Sequence, residues 1–259
     1  MPRTASRPSS PATTTPTAGA RLGAAIAVLT VAPLLRWLVA AESVPPDRPR
    51  RAGCDACGTP IGPTGPLAAL SPLARCPGCR SRYGAPPFAV ELALLLAVAA
   101  LLAAARPGWE SLAFAWWTAC AVPLVFVDVA VHRLPDRLTR AAALGTLALL
   151  GLAALVGADG AAWWRAVLAG TSAALLLGAS TLLLGRRGFG LGDAKLALSS
   201  VAVLGWLGWP AVFTGLVVTF LASAVVGLVL LAARRIRWRG HLPFGPFLVL
   251  GTIVTLAAA

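Results

Sequence analysis

Acidic residues are scarce in this sequence. The 259 residues include nine Asp and Glu residues, against 22 Lys and Arg residues. Charged residues of both signs make up 12% of the chain, about half of the roughly 25% that is usual for soluble proteins. This shortage of charge excludes an ordinary soluble globular domain. An acid that falls close to a hydrophobic segment therefore needs an explanation, because a charge near hydrocarbon is costly and usually has a function.

Apolar residues are correspondingly abundant. Hydrophobic side chains account for 58% of the sequence, and the mean hydropathy is +0.80. Apolar runs close to the ~20 residues that a membrane-spanning helix needs recur along the chain. The sequence therefore predicts an all-α polytopic membrane protein with about eight transmembrane helices, at 22–41, 88–105, 110–127, 139–157, 161–185, 194–208, 211–233 and 243–258.

Basic residues give the chain a net charge of +13, which could suggest a nucleic-acid partner. Their positions favour another explanation. If the loop after the first helix is cytoplasmic, 16 of the 22 Lys and Arg residues lie inside, five lie outside and Arg36 lies within the first span. The positive-inside rule predicts this asymmetry for a multi-pass protein of the inner (plasma) membrane. We therefore expect membrane lipid as the partner of these charges, and no nucleic acid.

Composition divides the chain into four parts. Residues 1–20 are rich in Pro, Ser, Thr and Ala and are predicted to form a disordered tail. Residues 21–41 are predicted to form the first transmembrane helix. A cleavable signal peptide is the alternative, but cleavage would place the arginine-rich loop that follows outside, against the charge rule. Residues 42–87 are predicted to form a cytoplasmic loop, and residues 88–259 a seven-helix membrane core.

Two Cys-x-x-Cys pairs lie in the loop 42–87. Cys54 and Cys57 are separated by 18 residues from Cys76 and Cys79. Four thiolates at this spacing suit a tetrahedral zinc site, and a Pro- and Gly-rich loop with few large apolar side chains needs such a ligand to fold. Two disulfides are the alternative, but they require an oxidising compartment. Because the charge rule places the loop inside, we expect a zinc-ribbon-like loop whose metal is structural.

Two aspartates lie where hydrophobic segments give way to short basic loops. Asp128 ends the third predicted helix, and Asp193 follows Gly190-Leu191-Gly192 just before another apolar helix. The helix count places both acids on the cytoplasmic side. Two carboxyl groups that lie close together share a proton, so one can activate water as a base while the other acts as an acid. The alternative is structural: either acid could be a hydrogen-bond partner, and Asp193 could cap its helix.

Weaker predictions concern three further residues. Lys195 is predicted either to pair with Asp193 or to face lipid phosphate, and the second interpretation is slightly favoured. Glu91 is predicted to cap the second helix, with contact to a basic segment of a substrate as the alternative, and Asp136 is predicted to cap the fourth.

With these motifs in place, the chain resembles the prepilin peptidases, the type IV leader peptidase family of GxGD-type aspartic membrane proteases. The resemblance covers roughly residues 54–200. It is carried by the four loop cysteines, by Arg82-Tyr83 and Val90-Glu91-Leu92, by Asp128 with Leu134-Pro135-Asp136 and Leu138-Thr139, and by Gly190-Leu191-Gly192-Asp193-Ala194-Lys195.

The resemblance implies that Asp128 and Asp193 are the catalytic pair, with Asp136 a motif residue outside the central role. It implies cleavage of a short basic leader from prepilin-like precursors (type IV pilins or type II secretion pseudopilins) at the cytoplasmic membrane face. Many members also N-methylate the new terminus with S-adenosylmethionine. The family's Asn and Tyr-Arg after the first span are absent here, where the chain reads Arg36-Trp37 through Glu42-Ser43, and no glycine-rich signature for that cofactor is found.

Two other classes of function compete with the peptidase. A multipass transporter would use membrane acids to bind protons or ions, but such acids are expected near helix centres, and no internal repeat is found. A membrane scaffold would use the zinc-bound loop to recruit partners and would leave both aspartates structural.

Overall fold

The described residues form a helical bundle in the predicted order. The computed structural model describes residues 18–45, 48–62, 71–104, 108–157, 159–185, 189–235 and 242–259. Within these ranges the eight helices are α1 (Ala18–Glu42), α2 (Ala89–Ala103), α3 (Glu110–Val131), α4 (Asp136–Gly157), α5 (Gly160–Leu184), α6 (Leu191–Leu207), α7 (Trp209–Ala232) and α8 (Gly245–Ala258). The all-α class is thus confirmed. The predicted tail 1–20 lies outside the described residues up to position 17, and α1 already begins at Ala18.

Four of these helices are long and apolar enough to cross a membrane: α3, α4, α5 and α7. The helices α2 and α8 are apolar but shorter. The protein is therefore a helical membrane protein. Length and composition mark four of the described helices as candidate spans, against the eight spans that the sequence predicts.

The helix α6 is the centre of the bundle. Ten of its 17 residues are buried, and it packs against α4, α5, α7 and α8. Glycine permits the closest of these approaches, because a Cβ at Gly170 of α5 would lie 2.4 Å from the carbonyl oxygen of Leu198 in α6. The helix α7, in contrast, buries three of its 24 residues and turns large apolar side chains outward. Such a helix is stable only where lipid covers that surface.

A second cluster joins α1 and α2 to α3. Val39 of α1, Val90 and Leu94 of α2 and Val122 of α3 are buried together. Beside them Arg36, which is 2% exposed, binds both carboxylate oxygens of Glu91, at 2.9 Å through Nε and 2.5 Å through Nη2. The expectation that Glu91 caps α2 is therefore wrong, because its carboxylate neutralises the buried guanidinium instead.

Three helix ends near the two aspartates differ from the predicted bounds. The helix α3 continues to Val131, so Asp128 lies inside its last turns, and His132 ends it in the left-handed conformation (φ 50°). The helix α4 begins at Asp136 itself. The helix α6 begins at Leu191, after the extended residue Gly190, so Asp193 lies within its first turn rather than ahead of it. The capping residues His132 and Gly190 mark two of these ends, which the apolar runs behind the predicted bounds do not show.

Candidate active site

Asp128 and Asp193 line one cavity at the end of the bundle where α3 and α5 end and α4 and α6 begin. The volume of this cavity is about 360 Å³. Sequence reasoning places both acids on the same side from the helix count, and the structure brings them to the same cavity. The other lining residues are His132, Arg133, Leu134, Asp136, Gly190, Leu191, Gly192 and Lys195.

The carboxylate of Asp128 is buried and held by the start of α8. Asp128 is 5% exposed, and its Oδ2 accepts a hydrogen bond of 3.1 Å from the backbone N–H of Gly245. A Cβ on residue 245 would lie 2.7 Å from the same oxygen, which is closer than any side chain tolerates. Glycine at this position is therefore what allows the backbone of α8 to reach the acid.

The carboxylate of Asp193 is half-buried and held by the residue that begins its own helix. Its Oδ2 accepts a hydrogen bond of 3.0 Å from the backbone N–H of Gly190. This contact satisfies one of the free N–H groups at a helix start, so the capping geometry that the sequence offered as an alternative is present. Because the carboxylate also lines the cavity, capping does not exclude chemistry at the same group.

The two acids share one cavity and are held in the same way. Both carboxylates accept a hydrogen bond from a backbone N–H at a helix start. Positive ends of helices favour negative charge, and two neighbouring carboxylates disfavour simultaneous ionisation. Two acids that line one cavity are therefore a candidate pair for acid–base chemistry on water.

The two motifs also pack directly on each other. A Cβ at Gly192 would lie 3.0 Å from the Cβ of Leu134, so the glycine before Asp193 sets how closely α6 approaches the connection between α3 and α4. Lys195 of α6 forms an ion pair of 2.6 Å with Asp136 of α4. The expectation that Lys195 pairs with Asp193 or faces lipid is therefore wrong. Its side chain reaches across to the neighbouring helix.

The four loop cysteines form a compact cluster. All four Sγ atoms lie within 4.8 Å of one another, with Cys54 and Cys79 at 3.6 Å and Cys57 and Cys76 at 3.5 Å. Four sulfurs around a tetrahedral zinc ion, with Zn–S bonds of about 2.3 Å, would be about 3.8 Å apart. The hydrogen bond between the Ser81 hydroxyl and Cys54 lowers the pKa of that thiol to about 6. The cluster can therefore hold a metal ion.

Sequence reasoning missed Gly245 as a residue of this site. The prediction placed residues 243–258 in the last helix and assigned no role to Gly245. Pro246 was the available signal, because proline is favoured in the first turn of a helix, where backbone N–H groups such as that of Gly245 lack an intrahelical partner.

Comparison with known proteins decides the family. The model of the type IV leader peptidase family matches residues 112–232, a range that contains both aspartates. A prepilin leader peptidase/N-methyltransferase of Aeromonas hydrophila is 33% identical over 214 residues, which cover 80% of this chain and 71% of the relative. The chain belongs to the type IV leader peptidase family. Proteins of the same name are 35% identical in Burkholderia pseudomallei (80% of this chain, 66% of the relative) and 30% identical in Neisseria gonorrhoeae (79% and 70%).

Family membership confirms the resemblance that the motifs carry. It identifies the chain as a peptidase, and it favours neither the transporter nor the scaffold. No solved structure matches the chain significantly.

Proposed function

We propose that this leader peptidase is a membrane aspartic endopeptidase that removes the short basic leader of prepilin-like precursors, with Asp128 and Asp193 as its catalytic pair. The observation that carries the proposal is the shared cavity, in which two acids 65 positions apart in sequence reach the same space. The names of the relatives, which specify prepilin leaders, support the substrate class.

The proposed mechanism uses one proton shared by two carboxyl groups. The ionised acid accepts a proton from water as that water attacks the scissile carbonyl carbon. The protonated acid donates to the carbonyl oxygen, and the proton taken from water then goes to the leaving amine. The backbone N–H groups of Gly190 and Gly245 hold each carboxylate through its Oδ2. Each acid keeps its second oxygen, Oδ1, for the water or the substrate.

Neutral replacement of each acid tests the pair. Asp128→Asn and Asp193→Asn keep the size of each side chain but cannot exchange the proton. We expect each to lower cleavage of a purified Aeromonas hydrophila type IV prepilin by about a thousandfold, in the middle of the range for general acid–base groups. The measurement is the rate of precursor shortening on a gel, with the cut identified by mass spectrometry.

The matched control is Asp159→Asn. Asp159 accepts from the N–H of Ala162 at the start of α5, and asparagine caps a helix equally well, so cleavage should be unchanged. Normal cleavage by either active-site variant would overturn the catalytic assignment.

The same proposal includes a placement in the membrane. All eight helices cross the inner (plasma) membrane, and the cavity with its two acids opens on the cytoplasmic face. Support comes from the excess of Lys and Arg in the loops on that side and from the apolar outward surface of α7. In this arrangement the predicted first span 21–41 lies within α1 (Ala18–Glu42), 42–87 is the cytoplasmic loop and 88–259 is the seven-helix peptidase core, surrounded by lipid.

We further propose that Cys54, Cys57, Cys76 and Cys79 bind one structural zinc ion. Four protein thiolates would fill the coordination sphere and leave no position for water, so the metal would fold the loop rather than take part in hydrolysis.

Elemental analysis of the purified protein should give about one zinc per chain. Cys76→Ser should lower that content and the amount of protein in the membrane, while Cys120→Ser, a buried thiol outside the cluster, should leave the zinc content unchanged. A full zinc content in the Cys76→Ser protein would contradict the assignment.

N-methylation of the new terminus with S-adenosylmethionine is a second candidate activity, favoured by the double name that the relatives carry. Arg36 lies in the segment where the family has its Asn and Tyr-Arg. Its guanidinium donates hydrogen bonds to the carboxylate of Glu91 and to the backbone carbonyls of Ala85 and Pro86. No described residue is therefore assigned to this cofactor. Transfer of a labelled methyl group to the processed precursor tests the activity.

A further inference from the structure

Both site carboxylates are held by the same kind of peptide unit. The N–H that binds Asp128 belongs to the Phe244–Gly245 peptide, and the N–H that binds Asp193 belongs to the Phe189–Gly190 peptide. In each case a phenylalanine comes immediately before the donor. A displacement of either phenylalanine backbone therefore moves the hydrogen bond that holds an acid.

The two phenylalanine rings contact each other. The ring centroids of Phe189 and Phe244 are 4.8 Å apart with an interplanar angle of 58°, inside the range in which aromatic pairs attract. Phe220 of α7 completes the group, with its centroid 6.1 Å from that of Phe189 and 5.5 Å from that of Phe244. Rings prefer particular relative orientations, so this contact constrains the backbones behind it more tightly than aliphatic packing would.

The position of this aromatic group in the fold supports the same interpretation. Phe244 is 7% exposed, and the Phe189 backbone is also fixed from α5, because the Thr181 hydroxyl donates to the Phe189 carbonyl oxygen. Phe220 lies on the outside of the group and is 46% exposed. The group thus connects the residues that precede α6 and α8 to α7 and, through Thr181, to α5.

We infer that Phe189, Phe220 and Phe244 form a positioning element that sets the spacing of Asp128 and Asp193 through the two Phe–Gly peptides. The inference rests on the proposed function. The three phenylalanines are not among the residues that line the cavity, so they are positioning residues. If they loosen, each acid keeps its chemistry but loses its alignment with the other, which lowers the rate of the chemical step more than the binding of substrate.

The half-exposed ring offers the cleanest test, because its loss should least disturb folding. Phe220→Leu should lower kcat for the Aeromonas hydrophila prepilin about tenfold, since small misplacements of reacting groups cost one to two orders of magnitude. KM should stay within about twofold of the original value. Phe220→Tyr keeps the ring and should retain kcat within about twofold.

The matched control is Phe213→Leu, a substitution of the same kind on the same helix. Phe213 is 67% exposed and makes no ring contact among the described residues, so kcat should not change. Thermal unfolding in detergent should give the two leucine variants similar midpoints. A kcat of Phe220→Leu equal to that of Phe213→Leu would overturn the inference, as would a change confined to KM or a loss of kcat that tyrosine does not restore.

A buried ring provides the second measurement. Phe244→Leu should lower kcat at least as far as Phe220→Leu, in protein that retains its thermal unfolding transition. Unchanged kcat in folded Phe244→Leu protein would overturn the inference. Its failure is distinct from that of the proposed function: cleavage that survives Asp128→Asn or Asp193→Asn refutes the catalytic pair, whereas normal kcat in the ring variants with inactive asparagine variants refutes only the positioning element.

Discussion

A single missing side chain decides the environment of the buried acid. Gly245 brings its N–H to 3.1 Å from Asp128 Oδ2, and any Cβ there would meet the same oxygen at 2.7 Å. The residue is needed for space rather than for an unusual backbone, because its φ lies outside the left-handed region. The carboxylate is thereby shielded from water on one side and open to the cavity on the other.

We predict that Gly245→Ala lowers kcat about a hundredfold, because the new methyl group pushes the Asp128 carboxylate out of alignment. Stability should change less than activity, since alanine is the better helix former at the start of α8. The measurement pairs prepilin cleavage with thermal unfolding in detergent.

Gly178→Ala is the control for this prediction. A Cβ at Gly178, in α5, would lie 3.9 Å from the nearest atom, an ordinary contact, so activity should be unchanged. Equal activity of the two alanine variants would show that the space beside Asp128 is not critical.

Among the helices, two ion pairs of different burial join neighbouring elements. Arg36 of α1 and Glu91 of α2 are 2% and 25% exposed, whereas Lys195 of α6 and Asp136 of α4 are 47% and 62% exposed. Water and ions screen the second pair but not the first. The first pair therefore adds to the apolar cluster that holds α1 against α2, and the second contributes little stability.

We predict that Glu91→Gln destabilises the protein by about 3 kcal/mol, because it leaves the Arg36 cation buried without a counter-charge. The double variant Arg36→Leu with Glu91→Leu should recover most of that loss, since apolar replacement of a buried pair is often neutral. Denaturation in detergent and the amount of protein in the membrane are the measurements.

Lys195→Met serves as the exposed counterpart and should cost at most about 1 kcal/mol. If Glu91→Gln were as stable as Lys195→Met, the buried pair would have no special weight.

At the scale of the whole molecule, the direction of each helix follows from the eight crossings that we propose. With α1 ending at the cytoplasmic face, the connection before α4 lies inside and the connection between α4 and α5 lies outside. Both aspartates are then cytoplasmic, as cleavage of a leader before secretion requires. The charge asymmetry favours this orientation over its inverse.

We predict that a cysteine in place of Arg137 reacts with a membrane-impermeant maleimide only in inverted membrane vesicles, and one in place of Gly160 only in intact cells. Arg137 is exposed in the first turn of α4, and a side chain at Gly160 would meet no atom within 4 Å, so neither change should disturb folding. Labelling is measured by mass spectrometry of the peptide that carries each residue. Reaction of both positions from the same side would contradict the topology.

The local sequence pattern was enough to predict the class of fold and to single out Asp128 and Asp193 as candidate site residues. Long apolar runs can fold stably only as helices in lipid, and an acid beside such a run is rare enough to be noticed. The helix bounds near the acids were less predictable. The left-handed cap at His132 and the extended conformation of Gly190 depend on backbone hydrogen bonds, which hydrophobicity does not report.

The sequence by itself determined that this chain is a helical membrane protein with two acids at one face and four thiols in one loop, because periodicity, charge asymmetry and spacing are local properties. Only the tertiary structure decided what those acids contact. The N–H of Gly245 is 117 positions from Asp128, and the ring of Phe244 meets that of Phe189 only after α8 packs against α6 and α7. Contacts across such distances depend on how the helices pack, which no short stretch of sequence encodes.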